Sequence, residues 1–214
     1  MNLQLFDLTH TKADGYLKNF DYPWQALKGL KEFISALTAS LDGYDEILKG
    51  VFVHKSAKIA PTAQICAPCI IGAETEVRHC AFIRGIVLIG ENCVVGNSTE
   101  LKNSILFDGV QVPHFNYVGD SILGYKAHLG AGAITSNVKS DRSPVAVKDG
   151  EDVIRTNLKK LGAMVGDFAE IGCNSVLNPG TVIGRGSTVY PLSSVRGTVP
   201  QNSIFKGGGI TPKY

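Results

Sequence analysis

Residues 51–106 read VFVHKSAKIAPTAQICAPCIIGAETEVRHCAFIRGIVLIGENCVVGNSTELKNSIL, and an aliphatic side chain recurs there every six positions. The period slips by one residue before Leu106 and again before Leu123, and it resumes at Val165. A smaller residue comes four positions after each aliphatic and two before the next, so the two point to the same side of a strand. Six matches neither the helical period of about 3.6 nor a plain strand. We interpret each hexad as one short strand followed by a corner. The series is Val53, Ile59, Ile65, Ile71, Val77, Ile83, Ile89, Val95, Leu101, Leu106, Val112, Val118, Leu123, Leu129, Val165, Ile171, Leu177, Ile183, Val189 and Val195.

Three such hexads make one coil of eighteen residues, and this pattern resembles the hexapeptide-repeat family. The fold of that family is the left-handed parallel β-helix, an exception to the right-handed crossover rule; the left hand is implied by the resemblance alone. We therefore predict an all-β chain of roughly six to seven coils. The expected organisation is a helical extension over 1–50, a β-helix over 51–200 and a tail over 201–214.

Two segments interrupt the period. Before it, Leu27, Leu30, Ile34 and Leu37 have helical spacing, which predicts an amphipathic helix that caps the first coil and protects its strand edge. Within it, residues 136–162 are polar, charged and contain a proline. A long loop on a compact scaffold is usually functional or disordered, so a projecting loop is expected there.

Composition excludes several classes of protein. The chain has 214 residues, 24 glycines, a net charge of +2 and 19% charged residues, which argues against disorder and gives no strong attraction to nucleic acid or membrane. The N-terminus lacks the pattern of a secretory signal. The five cysteines are unevenly spaced, which favours a cytoplasmic chain with reduced thiols. Cys69 and Cys93 occupy the small inward position and are predicted to fill the core.

The coil geometry brings distant residues together. Residues one coil apart lie about 4.8 Å from each other on adjacent strands. Arg84 and Lys102 are eighteen positions apart, and we expect them to stack as two outward cations. Such a pair can form a phosphate clamp or a solvated basic face. Glu100 and Tyr117 share a neighbouring column, because the slip shortens that coil to seventeen.

His114 lies two residues after the inward Val112 and points outward near a corner, in one column with Asn97 and His79. The two histidines are two coils, or about 9.6 Å, apart. That is too far for one zinc ion, whose bonds to nitrogen are about 2.0–2.1 Å. No metal is expected, although a histidine from a neighbouring subunit leaves zinc open as an alternative.

Residues 95–137 allow a closer comparison, since they read VGNSTELKNSILFDGVQVPHFNYVGDSILGYKAHLGAGAITSN. This segment resembles the acetyltransferase domain of the bacterial bifunctional enzymes that make UDP-N-acetylglucosamine, with their VGN-x-x-E-x-K, H-x-x-Y-x-GD and GAG-x-IT-x-N motifs. Residues 160–166, KLGAMVG, resemble archaeal sugar-1-phosphate nucleotidyltransferases with the same C-terminal domain. The resemblance covers about residues 50–200. In the H-x-x-Y-x-GD motif we interpret Asp120 as a turn former.

This resemblance implies acetyl transfer from acetyl-CoA to the amine of an amino-sugar 1-phosphate, with glucosamine 1-phosphate as the first choice. It also implies a cytoplasmic homotrimer with active sites between subunits and a main-chain N–H that stabilises the oxyanion. A histidine suits the role of general base, since its unperturbed pKa is about 6.5. The implied roles are His114 as base, Arg84 and Lys102 on the phosphate, Glu100, Tyr117 and Asn137 on the sugar and acetyl group, Ala131, Gly132 and Cys173 on acetyl-CoA, and Lys159 or Lys160 reaching a neighbour's site.

The chain departs from the bacterial pattern at three points. It has no GxGTRM-type segment, so nucleotidyl transfer is not expected; His128 stands where a site asparagine does, and Val138 where a tyrosine does. Alternatives are an acyltransferase for a nucleotide-linked amino sugar or an alcohol, a non-catalytic partner of a separate nucleotidyltransferase that binds sugar phosphates, and a carbonic-anhydrase-like zinc enzyme.

Overall fold

The computed structural model describes residues 5–213. From Val51 the chain winds through three faces as a parallel β-solenoid, which confirms the predicted β-helix. The first face holds β2 (Val51–His54), β5 (Cys69–Ile71), β8 (Val87–Ile89), the second halves of β10 (Glu100–Leu106) and β12 (Tyr117–Leu123), β17 (Ala163–Val165), β20 (Thr181–Ile183) and β23 (Thr198–Val199). The second face holds β3 (Lys58–Ile59), β6 (Glu76–Val77), β9 (Val94–Asn97), β11 (Gln111–His114), β13 (His128–Leu129), β18 (Glu170–Ile171), β21 (Thr188–Val189) and β24 (Ser203–Lys206). The third face holds β4 (Gln64–Ile65), β7 (Phe82–Ile83), the first halves of β10 and β12, β14 (Ile134–Thr135), β19 (Val176–Leu177) and β22 (Ser194–Val195).

The core consists of the inward side chains that the six-residue period predicted. Ile83, Val95 and Leu101 are fully buried, and so are the two cysteines assigned to the core, Cys69 and Cys93. Burial removes the thiolate from water, and it raises the pKa of the Cys93 thiol to about 12. These two thiols are therefore structural.

The three corners of the coil differ in regularity. Between the first and second faces, and between the second and third, successive inward residues are always six positions apart, as in Val53, Ile59 and Ile65. The corner where the chain leaves the third face for the first, here called the return corner, breaks this rule. Its inward pairs are Ile65 and Ile71 (six apart), Ile83 and Ile89 (six), Leu101 and Leu106 (five), Val118 and Leu123 (five), Thr135 and Val165 (thirty), Leu177 and Ile183 (six), and Val195 and Val199 (four).

The first face is apolar on its outer side as well. The middle residues of its strands point outward and form one row along the solenoid, yet all but Phe52 are almost completely buried. A sheet buried on both faces has continuously hydrophobic strands, so a second layer must cover this row. The row consists of Phe52, Ile70, Leu88, Ile105, Ile122, Met164 and Val182.

The N-terminal extension supplies much of that layer, and this corrects the predicted position of its helix. It contains α1 (Asp14–Leu17), α2 (Leu30–Leu37) and 3₁₀ helices at Leu8–His10, Pro23–Gly29 and Thr38–Ser40. The buried residues of this region belong to the same hydrophobic cluster as the solenoid, and the 3₁₀ helix at Pro23–Gly29 contacts β12 in the middle of the solenoid. The helices thus cover the outer row instead of the first coil.

The exposed edge of β2 is covered by β1 (Tyr44–Leu48), which pairs with it antiparallel. Residues 5–12 form an extended strap along the corner between the first and second faces. Asp7 N donates to Asp167 Oδ2 at 2.7 Å, and Asp108 N donates to His10 O at 3.1 Å. Across residues 5–213, no helix is long and apolar enough to cross a membrane.

The segment predicted as a projecting loop contains an antiparallel hairpin of β15 (Val145–Asp149) and β16 (Asp152–Leu158). Its first strand folds back on the solenoid, where it contacts β20 and β23 and buries Val145 and Val147. The predicted C-terminal tail also contains structure, because β24 stacks on β21 and pairs with β25 (Gly209–Pro212).

Candidate active site at the return corner

Three of the predicted site residues, Glu100, Lys102 and Tyr117, lie on β10 and β12, where the return corner is one residue short. Because of the missing residue, each of these strands runs through the corner without a break. The register pairs Glu100 with Tyr117 and Lys102 with Gly119, which confirms the predicted seventeen-residue column. Arg84 lies beside Lys102, since Arg84 N donates to Leu101 O at 2.8 Å. The structure therefore brings these four side chains to one edge of the solenoid.

Each of the two stacked cations has a carboxylate of its own. Arg84 Nη1 donates to Glu100 Oε1 at 2.7 Å, and this hydrogen bond raises the pKa of the guanidinium. Lys102 Nζ lies 3.7 Å from Asp120 Oδ2. The carboxylates relieve the repulsion expected between the two cations. Arg84 is 44% exposed in its side chain, so an incoming anion can still reach it.

Asp120 has a positive φ of 49° at the return corner, in line with its interpretation as a turn former, and it is also the centre of the polar network. Its side chain is only 6% exposed. It accepts hydrogen bonds from Asn103 Nδ2, at 2.7 Å, and from Asn137 Nδ2, and it faces Lys102. A buried carboxylate needs such partners. The H-x-x-Y-x-GD motif could have indicated this network role, since it places an acidic residue three positions after Tyr117.

Tyr117 and Asn137 form the adjacent part of the site. Asn137 Nδ2 donates to the Tyr117 hydroxyl at 3.2 Å. Burial raises the pKa of Tyr117, against the opposing effect of this hydrogen bond, so the phenol stays protonated at neutral pH. A Cβ at Gly119 would lie 2.5 Å from the Tyr117 hydroxyl. Glycine at this position thus leaves room for the hydroxyl.

His114 lies at a different corner, between the second and third faces. It pairs with Asn97 in the register, and its side chain is exposed. It precedes Tyr117 by three residues, across a corner formed by Phe115 and Asn116. Among residues 5–213, no side-chain hydrogen bond joins the His114 ring to the Asp120 network.

The residues predicted to contact acetyl-CoA share the corner of His114. Gly132 N donates to His114 O at 3.0 Å, and Asn174 N donates to Ala131 O at 2.8 Å, so Ala131 and Cys173 continue the histidine column. Cys173 is exposed and lines a mainly apolar cavity of about 400 Å³ together with Gly130 and Tyr190. Ala131 and Gly132 lie next to this cavity in the column.

A second cavity, of about 430 Å³, opens beside the return corner and is here called the lysine pocket. Its lining includes Lys102 and Asp120 from the site, together with the predicted loop residues Lys159 and Lys160. These loop lysines lie near the site of their own chain. Lys28 and Lys31 of the N-terminal extension also line the pocket, and they were not predicted because nothing in the six-residue period places that extension here. Within residues 5–213, no group of three or more His, Cys, Asp and Glu side chains is arranged to hold a metal ion.

Known proteins share sequence similarity with this chain. Residues 66–159 match the family described as the GMPPB C-terminal domain. The bifunctional protein GlmU of Methanococcus maripaludis strain C5 is 31% identical over 206 residues, which are 94% of this chain and 50% of that protein. The resemblance inferred from the motifs is confirmed. A bifunctional sugar-1-phosphate nucleotidylyltransferase/acetyltransferase of Sulfurisphaera tokodaii is 29% identical over 90% of this chain and 49% of that protein.

The chain spans about half the length of the curated relatives that it matches. Among solved structures, the acetyltransferase domain of PglB from Neisseria gonorrhoeae in complex with acetyl coenzyme A is similar, with a TM-score of 0.36 and 18% identity. That alignment covers 76% of this chain and 57% of the other. The name of the Sulfurisphaera tokodaii protein includes an acetyltransferase, in agreement with the prediction of an acyltransferase.

Proposed function

We propose that the chain is an acetyl-CoA-dependent N-acetyltransferase that acts on an amino-sugar 1-phosphate, with glucosamine 1-phosphate as the leading candidate. The observation that carries this proposal is the placement of Arg84 and Lys102 side by side, next to the column of Glu100 and Tyr117, with His114 one short strand away. Cations at one end and a base at the other suit a substrate that has a phosphate and an amine.

In the proposed reaction the amine nitrogen attacks the carbonyl carbon of the thioester. A C–N bond forms, the C–S bond breaks, and CoA leaves as a thiolate. His114 accepts the proton that the amine loses and returns it to the thiolate. Because the His114 ring is exposed at its corner, both the amine and the thioester can approach it.

The return corner would hold the substrate in place. Arg84 and Lys102 would bind the phosphate, in exchange for part of their contact with Glu100 and Asp120. The protonated Tyr117 hydroxyl and the Asn137 amide can hydrogen-bond to the sugar hydroxyls. Asp120 acts through its neighbours, because it accepts a hydrogen bond from Asn137 and faces the Lys102 ammonium, and so holds both side chains in position.

Acetyl-CoA would lie along the corner of His114, where Ala131, Gly132 and Cys173 follow it in the column. The apolar cavity beside Cys173 can accommodate the pantetheine chain of the cofactor. A homotrimer with active sites between subunits is part of the proposal, because a neighbouring chain would close the exposed side of His114.

The test is thiol release from acetyl-CoA in the presence of glucosamine 1-phosphate or galactosamine 1-phosphate. N-acetylglucosamine 1-phosphate, which lacks a free amine, is the matched control and should release no thiol. Release with an amino sugar and not with the control supports the proposal. If neither amino-sugar phosphate releases thiol, N-acetylation of amino-sugar 1-phosphates is ruled out for this chain.

A further inference from the structure

The lysine pocket contains an excess of positive charge that the roles above do not use. Five lysines and two carboxylates line it, the carboxylates being Glu32 and Asp120. Asp120 is already engaged by Lys102, Asn103 and Asn137. Among the described residues, none of the other four lysines lies within ion-pair distance of a carboxylate. The four are Lys28, Lys31, Lys159 and Lys160.

The walls of the pocket are fixed by packing and by backbone hydrogen bonds. One wall is the helical segment that carries Lys28 and Lys31, anchored through the buried Leu27 and Leu30. Lys160 also lines the pocket, and the residues after it are held in place because Gly162 N donates to Asp120 O at 2.8 Å. The lysines therefore converge on a preformed cavity, where like charges concentrate an anion.

The position of the pocket indicates which anion it would hold. Lys102 lines both the pocket and the proposed phosphate site. His114 lies at the other end of the third-face strand. A substrate with its amine toward His114 and its phosphate at Lys102 would direct whatever is attached to that phosphate into the lysine pocket.

We infer that the lysine pocket binds the second phosphate of a nucleoside-diphosphate-linked amino sugar, so that the chain acetylates nucleotide-linked amino sugars in addition to the free 1-phosphate. The inference rests on the proposed function, because it assigns a substrate class to the same site. The N-terminal extension then has a binding role besides its packing role, through Lys28 and Lys31. A diphosphate also occurs in CoA, and the experiment must separate the two sources.

The experiment compares a double variant, Lys28→Met with Lys31→Met, with a control that removes the same charge elsewhere. The control is Lys49→Met with Lys58→Met, since both lysines are exposed and lie outside the pocket. For each protein, kcat/KM is measured with UDP-glucosamine and with glucosamine 1-phosphate. We expect the double variant to lower the ratio of the two kcat/KM values at least tenfold and the control to leave it unchanged.

Binding of inorganic pyrophosphate, measured by calorimetry, gives a readout that does not depend on turnover. Pyrophosphate should bind the parent chain more tightly than inorganic phosphate, and the double variant should lose that preference. Turnover of the 1-phosphate without turnover of UDP-glucosamine would overturn the inference and leave the proposed function intact. Absence of turnover with both glucosamine 1-phosphate and UDP-glucosamine would contradict the proposed function itself. A rise in the KM of acetyl-CoA alone would assign the pocket to CoA and overturn the inference.

Discussion

The return corner and the two regular corners follow the same six-residue period but differ in how strictly they keep it. At the regular corners every interval between inward residues is six, from Val53 to Phe205. At the return corner consecutive intervals are six, six, five, five, thirty, six and four. The proposed phosphate ligands Arg84 and Lys102, together with Asp120, which faces Lys102, all lie at this irregular corner. Regular corners thus preserve the core, whereas the irregular one gives room for polar side chains to converge.

His114 is the exception, since it lies at a regular corner and is assigned the chemical step. His114→Ala should lower kcat by about 10²–10⁴-fold because it removes the general base, with little change in thermal midpoint. His79→Ala removes the same side chain from the same column two coils earlier and should retain kcat. A fall in kcat for both variants would contradict a specific role for His114.

The covered first face predicts the next largest effect, on stability. Leu30 is fully buried under the helical layer, whereas Leu192 is 80% exposed at a regular corner. Leu30→Ala should lower the free energy of unfolding by about 2–5 kcal/mol, and Leu192→Ala by less than about 0.5 kcal/mol. Denaturant unfolding of both variants measures the difference. Equal values would mean that the helices contribute little to the fold.

Phosphate binding by Lys102 at the irregular corner should be separable from the proton transfer assigned to His114. Lys102→Met removes a cation from the proposed phosphate site and should raise the KM of the sugar phosphate about 10–100-fold, the equivalent of one or two charge-assisted hydrogen bonds. Lys126→Met makes the same change at a regular corner, between Gly124 and Ala127, and should leave KM within about twofold. If Lys102→Met lowered kcat and left KM unchanged, the phosphate assignment would be wrong.

The smallest effect is expected at Tyr117. Tyr117→Phe deletes a hydroxyl that accepts one hydrogen bond from Asn137, and kcat/KM should fall by about threefold to tenfold. Tyr125→Phe, at a regular corner, is the matched control and should leave kcat/KM unchanged. If kcat/KM were unchanged in Tyr117→Phe, the Tyr117 hydroxyl would have no role in binding the substrate.

Much of the solenoid was predictable because its core obeys one period. The spacing of Leu101 and Leu106 predicted the seventeen-residue register, and with it the meeting of Glu100 and Tyr117. The helical layer was misplaced because amphipathic spacing shows that a helix has an apolar face but not which surface it covers. The outward row that includes Ile70 and Leu88 could have identified the covered surface, because the outward positions of a strand exposed to solvent would be polar.

The polar network was harder to predict than the columns. The hydrogen-bonding role of Asp120 was missed because its partners Asn103 and Asn137 come from two other coils, and only the folded corner brings them together. Lys28 and Lys31 were missed because they lie more than 70 positions before Lys102 in the chain. Periodicity relates residues within the repeat and says nothing about segments outside it.

The strap has a consequence for folding during synthesis. A solenoid of stacked coils can form step by step as the chain emerges, since each coil needs only its neighbour. Asp7, however, bonds to Asp167, 160 positions later. At about 5–20 residues per second the ribosome needs about 8–32 s to make that partner. The strap is therefore made well before its partner and can dock only late, and it ties early and late coils to each other.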